Sequence, residues 1–162
     1  MGEAFRPKEA MRQVELRLGA QAATLAAYEA RAIAIIGWSM AGITAGGAAV
    51  LSSAVPPLLG FAAAVLVSGL AFAASSAALV LLPRRAWGVQ GHRPDDVLRG
   101  HGETEADLLT WLAEGSAAAA ADNTKAINAC AYAMRMAVGG LLLAPAAALA
   151  VAAIVWAASA AG

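Results

Sequence analysis

From Ala32 to Pro83 the chain runs 52 residues without an Asp, Glu, Lys or Arg, and from Met136 to Gly162 it runs another 27. A charged side chain at the centre of a bilayer costs about 2.5–3.5 kcal/mol on insertion scales, so long charge-free stretches are what a membrane-crossing segment requires. All 22 charged residues fall in the two remaining stretches, Met1–Arg31 and Arg84–Arg135. A soluble chain could bury one apolar helix of this kind. The 83 residues outside the two runs could not cover three. Composition agrees: 60% of residues are hydrophobic and 14% charged, against roughly half and a quarter in soluble domains.

A span takes about 20 apolar residues, so the longer run holds two. Its break is Ser52–Ser53–Ala54–Val55–Pro56–Pro57, because proline removes a backbone donor and disfavours helix in the residue before it. The expected spans are 32–54, 58–82 and 136–160, with a turn at 52–57. Orientation follows from the Lys/Arg bias. Arg17 and Arg31 precede the first span, Arg84 and Arg85 follow the second, and Arg135 precedes the third, whereas the turn and the C-terminal tail carry no charge. The expectation is a multi-pass protein of a bacterial inner membrane. Its N-terminus and residues 83–135 would be cytoplasmic, and the turn and C-terminus would face the periplasm. Arg31, Arg84, Arg85, Trp87, Arg135 and Trp156 are the expected interface residues, with Trp38 a turn or more inside.

Small residues recur in the spans at packing intervals. Gly42 and Gly46 form a GxxxG pair, Gly60, Ala64 and Ser68 repeat every four, and so do Gly69, Ala73 and Ala77. Such faces let helices approach closely in lipid, where hydrophobicity no longer drives association.

The charged stretches read as helical stalks. Met11, Val14, Leu18, Gln21, Leu25, Tyr28 and Ala32 step by three and four residues, a coiled-coil interval, with Arg12, Glu15 and Arg31 on the opposite face. No proline or glycine pair separates this helix from the first span, so one helix is expected from about Lys8 to Ser52. A second helix is expected from Thr104, where Thr104-Glu105-Ala106-Asp107 resembles a capping box, through residue 135 into the third span. Gly139–Gly140 and Pro145 predict a kink there. The fold class expected is all-α, with three transmembrane helices, two of them extended into a parallel cytoplasmic stalk. Residues 1–31 and 104–135 form that stalk, 32–82 a transmembrane hairpin, and 83–103 a cytoplasmic connector.

Chemistry-bearing patterns are sparse. His92, Asp95, Asp96, His101 and Glu103 are metal-capable, but their spacing fits no zinc pattern, and no metal site is expected. Gly88-Val89-Gln90-Gly91 lacks the Lys and Ser/Thr of a phosphate loop. Asp122, Asn123 and Lys125, amid alanines, are the expected ligand-binding residues if the stalk takes a polar ligand. The alternative is a solvated helix surface. No Ser/His/Asp, Cys/His or paired-carboxylate arrangement occurs, so neither enzyme activity nor a cofactor is expected. A net charge of zero gives no field for nucleic acid. Cys130, alone, forms no intrachain disulfide and reads as a core residue.

The order of helical stalk, two close spans, polar connector, second stalk and final span resembles the small transmembrane effectors of bacterial anti-phage systems, the Pycsar-type and SLATT-like modules. Tyr28-Glu29-Ala30-Arg31-Ala32 through Trp38 looks like their entry into the first span, with Arg31 where lysine is more usual. Asn123-Thr124-Lys125-Ala126 through Arg135 is similar to their polar-to-basic approach to the last. The resemblance implies a resting membrane protein that oligomerises or opens on a cyclic-nucleotide or protein signal and depolarises the inner membrane. The expected partners are the lipid bilayer, further copies of the chain, and a cyclic nucleotide or signalling protein. The alternatives are a three-span phage holin and a structural membrane adaptor.

Overall fold

The computed structural model describes residues 5–51, 56–82 and 104–160, and every secondary-structure element among them is an α-helix. They are α1 (Phe5–Leu51), α2 (Pro57–Leu81) and α3 (Glu105–Ala160). Residues 52–55 of the expected turn and the connector 83–103, with Arg84, Arg85, Trp87 and the metal-capable set, lie outside the described residues.

All three helices are long and apolar enough to cross a membrane. At 1.5 Å per residue the 25 residues of α2 extend about 38 Å, enough for the roughly 30 Å hydrocarbon core and little more. The 47 residues of α1 and the 56 of α3 extend about 70 and 84 Å. By length alone each reaches well past any bilayer.

Local chemistry sets the helix ends. Pro56 is extended (ψ 141°) and Pro57 opens α2. Proline is suited to the first turn because its missing N–H is one of the donors no helix satisfies. The Pro56 carbonyl accepts from Leu59 N (2.9 Å) and Gly60 N (3.1 Å). Leu82, before Pro83, is extended (ψ 139°) and ends the helix, as the proline ring requires of its predecessor. At the start of α3, Asp107 N donates to Thr104 Oγ1 (3.2 Å) and the Thr104 hydroxyl donates to Asp107 Oδ2 (2.7 Å). Glu105 and Asp107 add negative charge to that first turn, where the helix dipole favours it. α3 continues as one helix through Pro145.

The chain divides into two compact units. Unit 1 comprises residues 1–27 and 83–129. In it, Leu18 of α1 and Leu112, Ala113, Ser116, Ala120 and Asn123 of α3 are buried. Lys8 Nζ meets Glu105 Oε1 at 3.0 Å, and Gln21 Nε2 donates to Ala120 O at 2.9 Å and Thr124 Oγ1 at 3.0 Å. The ion pair is exposed and contributes little. Burying Leu18 contributes about 1.5–3 kcal/mol.

Unit 2 comprises residues 28–82 and 130–162. Its only charged residues are Glu29, Arg31 and Arg135. Its interior is built largely from small side chains, with Ala32, Ser39, Ala73, Ala77 and Ala137 fully buried. Many of its large apolar residues point outward, among them Ile33, Trp38, Phe61, Leu142, Leu143, Leu149, Ile154 and Trp156, while Ile35, Leu70, Val80 and Met134 are buried. A mostly small interior beneath a large apolar exterior inverts the order of a water-soluble core. It suits a lipid surround, which is itself as apolar as leucine.

Candidate functional site

The helix seams of unit 2 follow from missing side chains. A methyl group built on Gly42 would run into Leu70 Cδ1, and one on Gly46 would lie 2.9 Å from Val67 Cγ2, so α1 and α2 approach through this glycine pair. On the other side of α2, a methyl on Gly69 would lie 2.5 Å from Ala144 Cβ and 3.1 Å from Ala144 Cα. One on Gly140 would lie 3.1 Å from Phe72 Cδ1 and 3.2 Å from Ala73 Cβ. Gly69 and Ala73 therefore lie on the α2 face that meets α3, and Ala77, one turn on, is fully buried. The stripe Gly60, Ala64 and Ser68 is placed differently. A methyl at Gly60 meets nothing within 4 Å, Ala64 is half-buried and Ser68 is exposed. The Ser68 hydroxyl donates to Ala64 O in its own helix at 2.9 Å.

One polar atom stands out in this interior. Ser39 is fully buried, and among the described residues its hydroxyl has no hydrogen-bond partner. Other hydroxyls of the same helix, those of Thr24 and Thr44, donate to the carbonyls of Ala20 and Met40 four residues back. A buried unpaired polar group costs about 1–3 kcal/mol.

The cations of unit 2 are exposed. Among the described residues Arg135 has no ion-pair or hydrogen-bond partner. It lines two grooves on α3. One, of about 380 Å³, lies between α2 and α3 and is walled by Phe72 and Leu143 over Gly69, Gly139 and Gly140. The other, of about 450 Å³, includes Tyr28, Met134, Val138 and Leu142. Trp38 and Trp156, each 73% exposed, lie on the outer surface. Sequence reasoning placed Arg135 at the interface. The grooves beside it depend on how α2 seats against α3, which no local pattern encodes.

In unit 1 the three polar residues 122, 123 and 125 do not converge. Asp122 and Lys125 are exposed and pair with each other, Nζ to Oδ1 at 2.9 Å. That hydrogen bond, with the adjacent negative charge, raises the Lys125 pKa above its ordinary value. Asn123, 1% exposed, points inward. Successive helical residues differ by about 100° in direction, so 122 and 123 cannot share a face. The polar seam inside unit 1 instead centres on Gln21, whose Nε2 is bonded while its Oε1 is buried with no partner among the described residues. Cys130 is a buried free thiol.

No family model, curated protein or solved structure matches this chain.

Proposed function

We propose that the chain is a three-span protein of a bacterial inner membrane and acts, as a homo-oligomer, as a membrane-perturbing effector. In this reading the helices of unit 1 form a parallel cytoplasmic stalk that receives a signal or protein partner. The spans of unit 2 then repack or assemble to make the bilayer leaky, as in anti-phage defence, and no bond-making chemistry is involved.

The observation that carries the reading is continuity. α1 and α3 each pass without a break from residues of the charged unit to residues of the apolar one, so a shift or rotation of the helices in the stalk is a shift or rotation of two spans. The stepwise contacts 8 to 105 and 21 to 120 support a parallel pairing. The Lys/Arg bias supports a cytoplasmic stalk. The unpaired Ser39 hydroxyl supports a resting packing that a second arrangement could improve upon.

The test is expression with and without a nucleotide-cyclase signalling partner, read by a membrane-potential dye. The reading expects depolarisation only with the trigger, and loss of that response when two glycines are inserted after Ala27 to uncouple α1. Unchanged potential under every trigger refutes it. Lysis that depends on an endolysin would instead identify a holin, and one stoichiometric partner with no permeability change would identify an adaptor.

A further inference from the structure

We infer that the groove between α2 and α3 is a binding site for one anionic glycerophospholipid, with its phosphate on Arg135 and an acyl chain along Gly139 and Gly140. The inference rests on the membrane placement of unit 2 and not on any effector activity. Arg135 stands one residue before the charge-free run that begins at Met136, where the headgroup layer meets the hydrocarbon. It is exposed and has no ionic partner among the described residues. A guanidinium there presents a planar, two-pronged donor that matches a phosphate. The groove leading from it runs along α3 to Ala147, twelve residues or about 18 Å. Half of the hydrocarbon core is about 15 Å, so the groove extends from headgroup level to the midplane, the depth of one acyl chain. Phe72 walls it, and the absent side chain of Gly139, around which a methyl would meet nothing within 4 Å, leaves its floor open, while Gly140 lies where α3 touches Phe72 and Ala73. Basic pockets between spans on the cytoplasmic side favour anionic lipid for the same electrostatic reason.

The test uses the full chain in nanodiscs of equal phosphatidylglycerol and phosphatidylcholine, with retained lipid counted by native mass spectrometry. The expected result is one phosphatidylglycerol per protomer, enriched about fivefold or more over the bulk lipid. Arg135→Gln should lose that enrichment and Arg135→Lys should keep only part of it, because lysine retains the charge and not the two-pronged geometry. Gly139→Phe should also lose it, because a methyl at Gly139 meets nothing within 4 Å and the ring can enter the groove without displacing a helix. Arg31→Gln should retain it. Retention of the two lipids in their bulk ratio, equal loss in Arg31→Gln and Arg135→Gln, or displacement by excess inorganic phosphate would overturn the inference. Carbonate extraction of the same protein separates the two readings: a chain stripped from the membrane refutes the membrane placement, whereas an inserted chain with no lipid preference refutes the site alone.

Discussion

Alanine at Gly60, Gly42 and Gly69 should have three different effects, and the contacts predict the order. A helical Gly→Ala change by itself is favourable by about 0.5–1 kcal/mol, because alanine loses less backbone freedom. At Gly60 nothing opposes the gain, since a methyl there meets nothing within 4 Å, so Gly60→Ala should stabilise by about that amount. At Gly42 the obstacle is the tip of the Leu70 side chain, which can rotate away, and the two effects should roughly cancel. At Gly69 the obstacles are the Cβ and Cα of Ala144, at 2.5 and 3.1 Å. No rotamer change relieves a clash with backbone, so α2 and α3 must move apart. Overpacking of this kind costs about 1–3 kcal/mol, and the net for Gly69→Ala is a loss of roughly 0.5–2 kcal/mol once the propensity gain is subtracted. The assay is reversible unfolding in mild detergent, monitored by helical circular dichroism. A Gly69→Ala protein as stable as Gly60→Ala would refute the reasoning, because it would mean that α2 and α3 do not meet at this residue.

Leu18→Ala should destabilise unit 1 by about 2–5 kcal/mol, while Leu16→Ala, at an exposed position, should change it by less than about 0.5 kcal/mol. Hydrogen exchange along residues 8–27 and 105–129 distinguishes them, and equal effects would contradict the helix pairing in unit 1. Ser39→Ala should be neutral or stabilising by about 1 kcal/mol, because it removes a buried hydroxyl that has no partner; a clear loss of thermal stability would show that the hydroxyl is satisfied. Asp122→Asn should return the Lys125 pKa towards its ordinary value, read by the Nζ chemical shift. Because the folded value is raised by Asp122, the small stabilisation is complete at neutral pH and is lost only as pH rises through the raised value. An unchanged Lys125 shift would contradict the pairing.

Charge placement made the gross organisation legible. The two charge-free runs mark where apolar helices lie because the cost of a buried charge is large and does not depend on the partner helix. The helix ends at Pro56, Leu82 and Thr104 were legible for a similar reason, since proline and capping geometry act within a few residues. Contact choice was not. Gly60-Ala64-Ser68 and Gly69-Ala73-Ala77 look alike as strings, and in an alanine-rich span many registers offer small residues every four. Only the seating of α3 on α2 makes Gly69 crowded and Gly60 open. Asp122 and Lys125 pair on the surface while Asn123 turns inward, because proximity in sequence is not proximity on a helix face. Pro145 lies inside α3, which runs on to Ala160. The burial of Asn123 and of the Gln21 carbonyl oxygen had no signal beyond the position of Gln21 in an otherwise apolar stripe.

The central claim is that the charged unit lies on the cytoplasmic side and that three spans carry the chain to the opposite face. Single cysteines placed at Gln13, Glu114 and Ser159 in a Cys130→Ser background test it, in intact cells treated with a membrane-impermeant maleimide. The account predicts labelling of Ser159→Cys alone, with Gln13→Cys and Glu114→Cys reacting only after the inner membrane is permeabilised. Labelling of all three positions, or of Gln13→Cys and Glu114→Cys without Ser159→Cys, would contradict it.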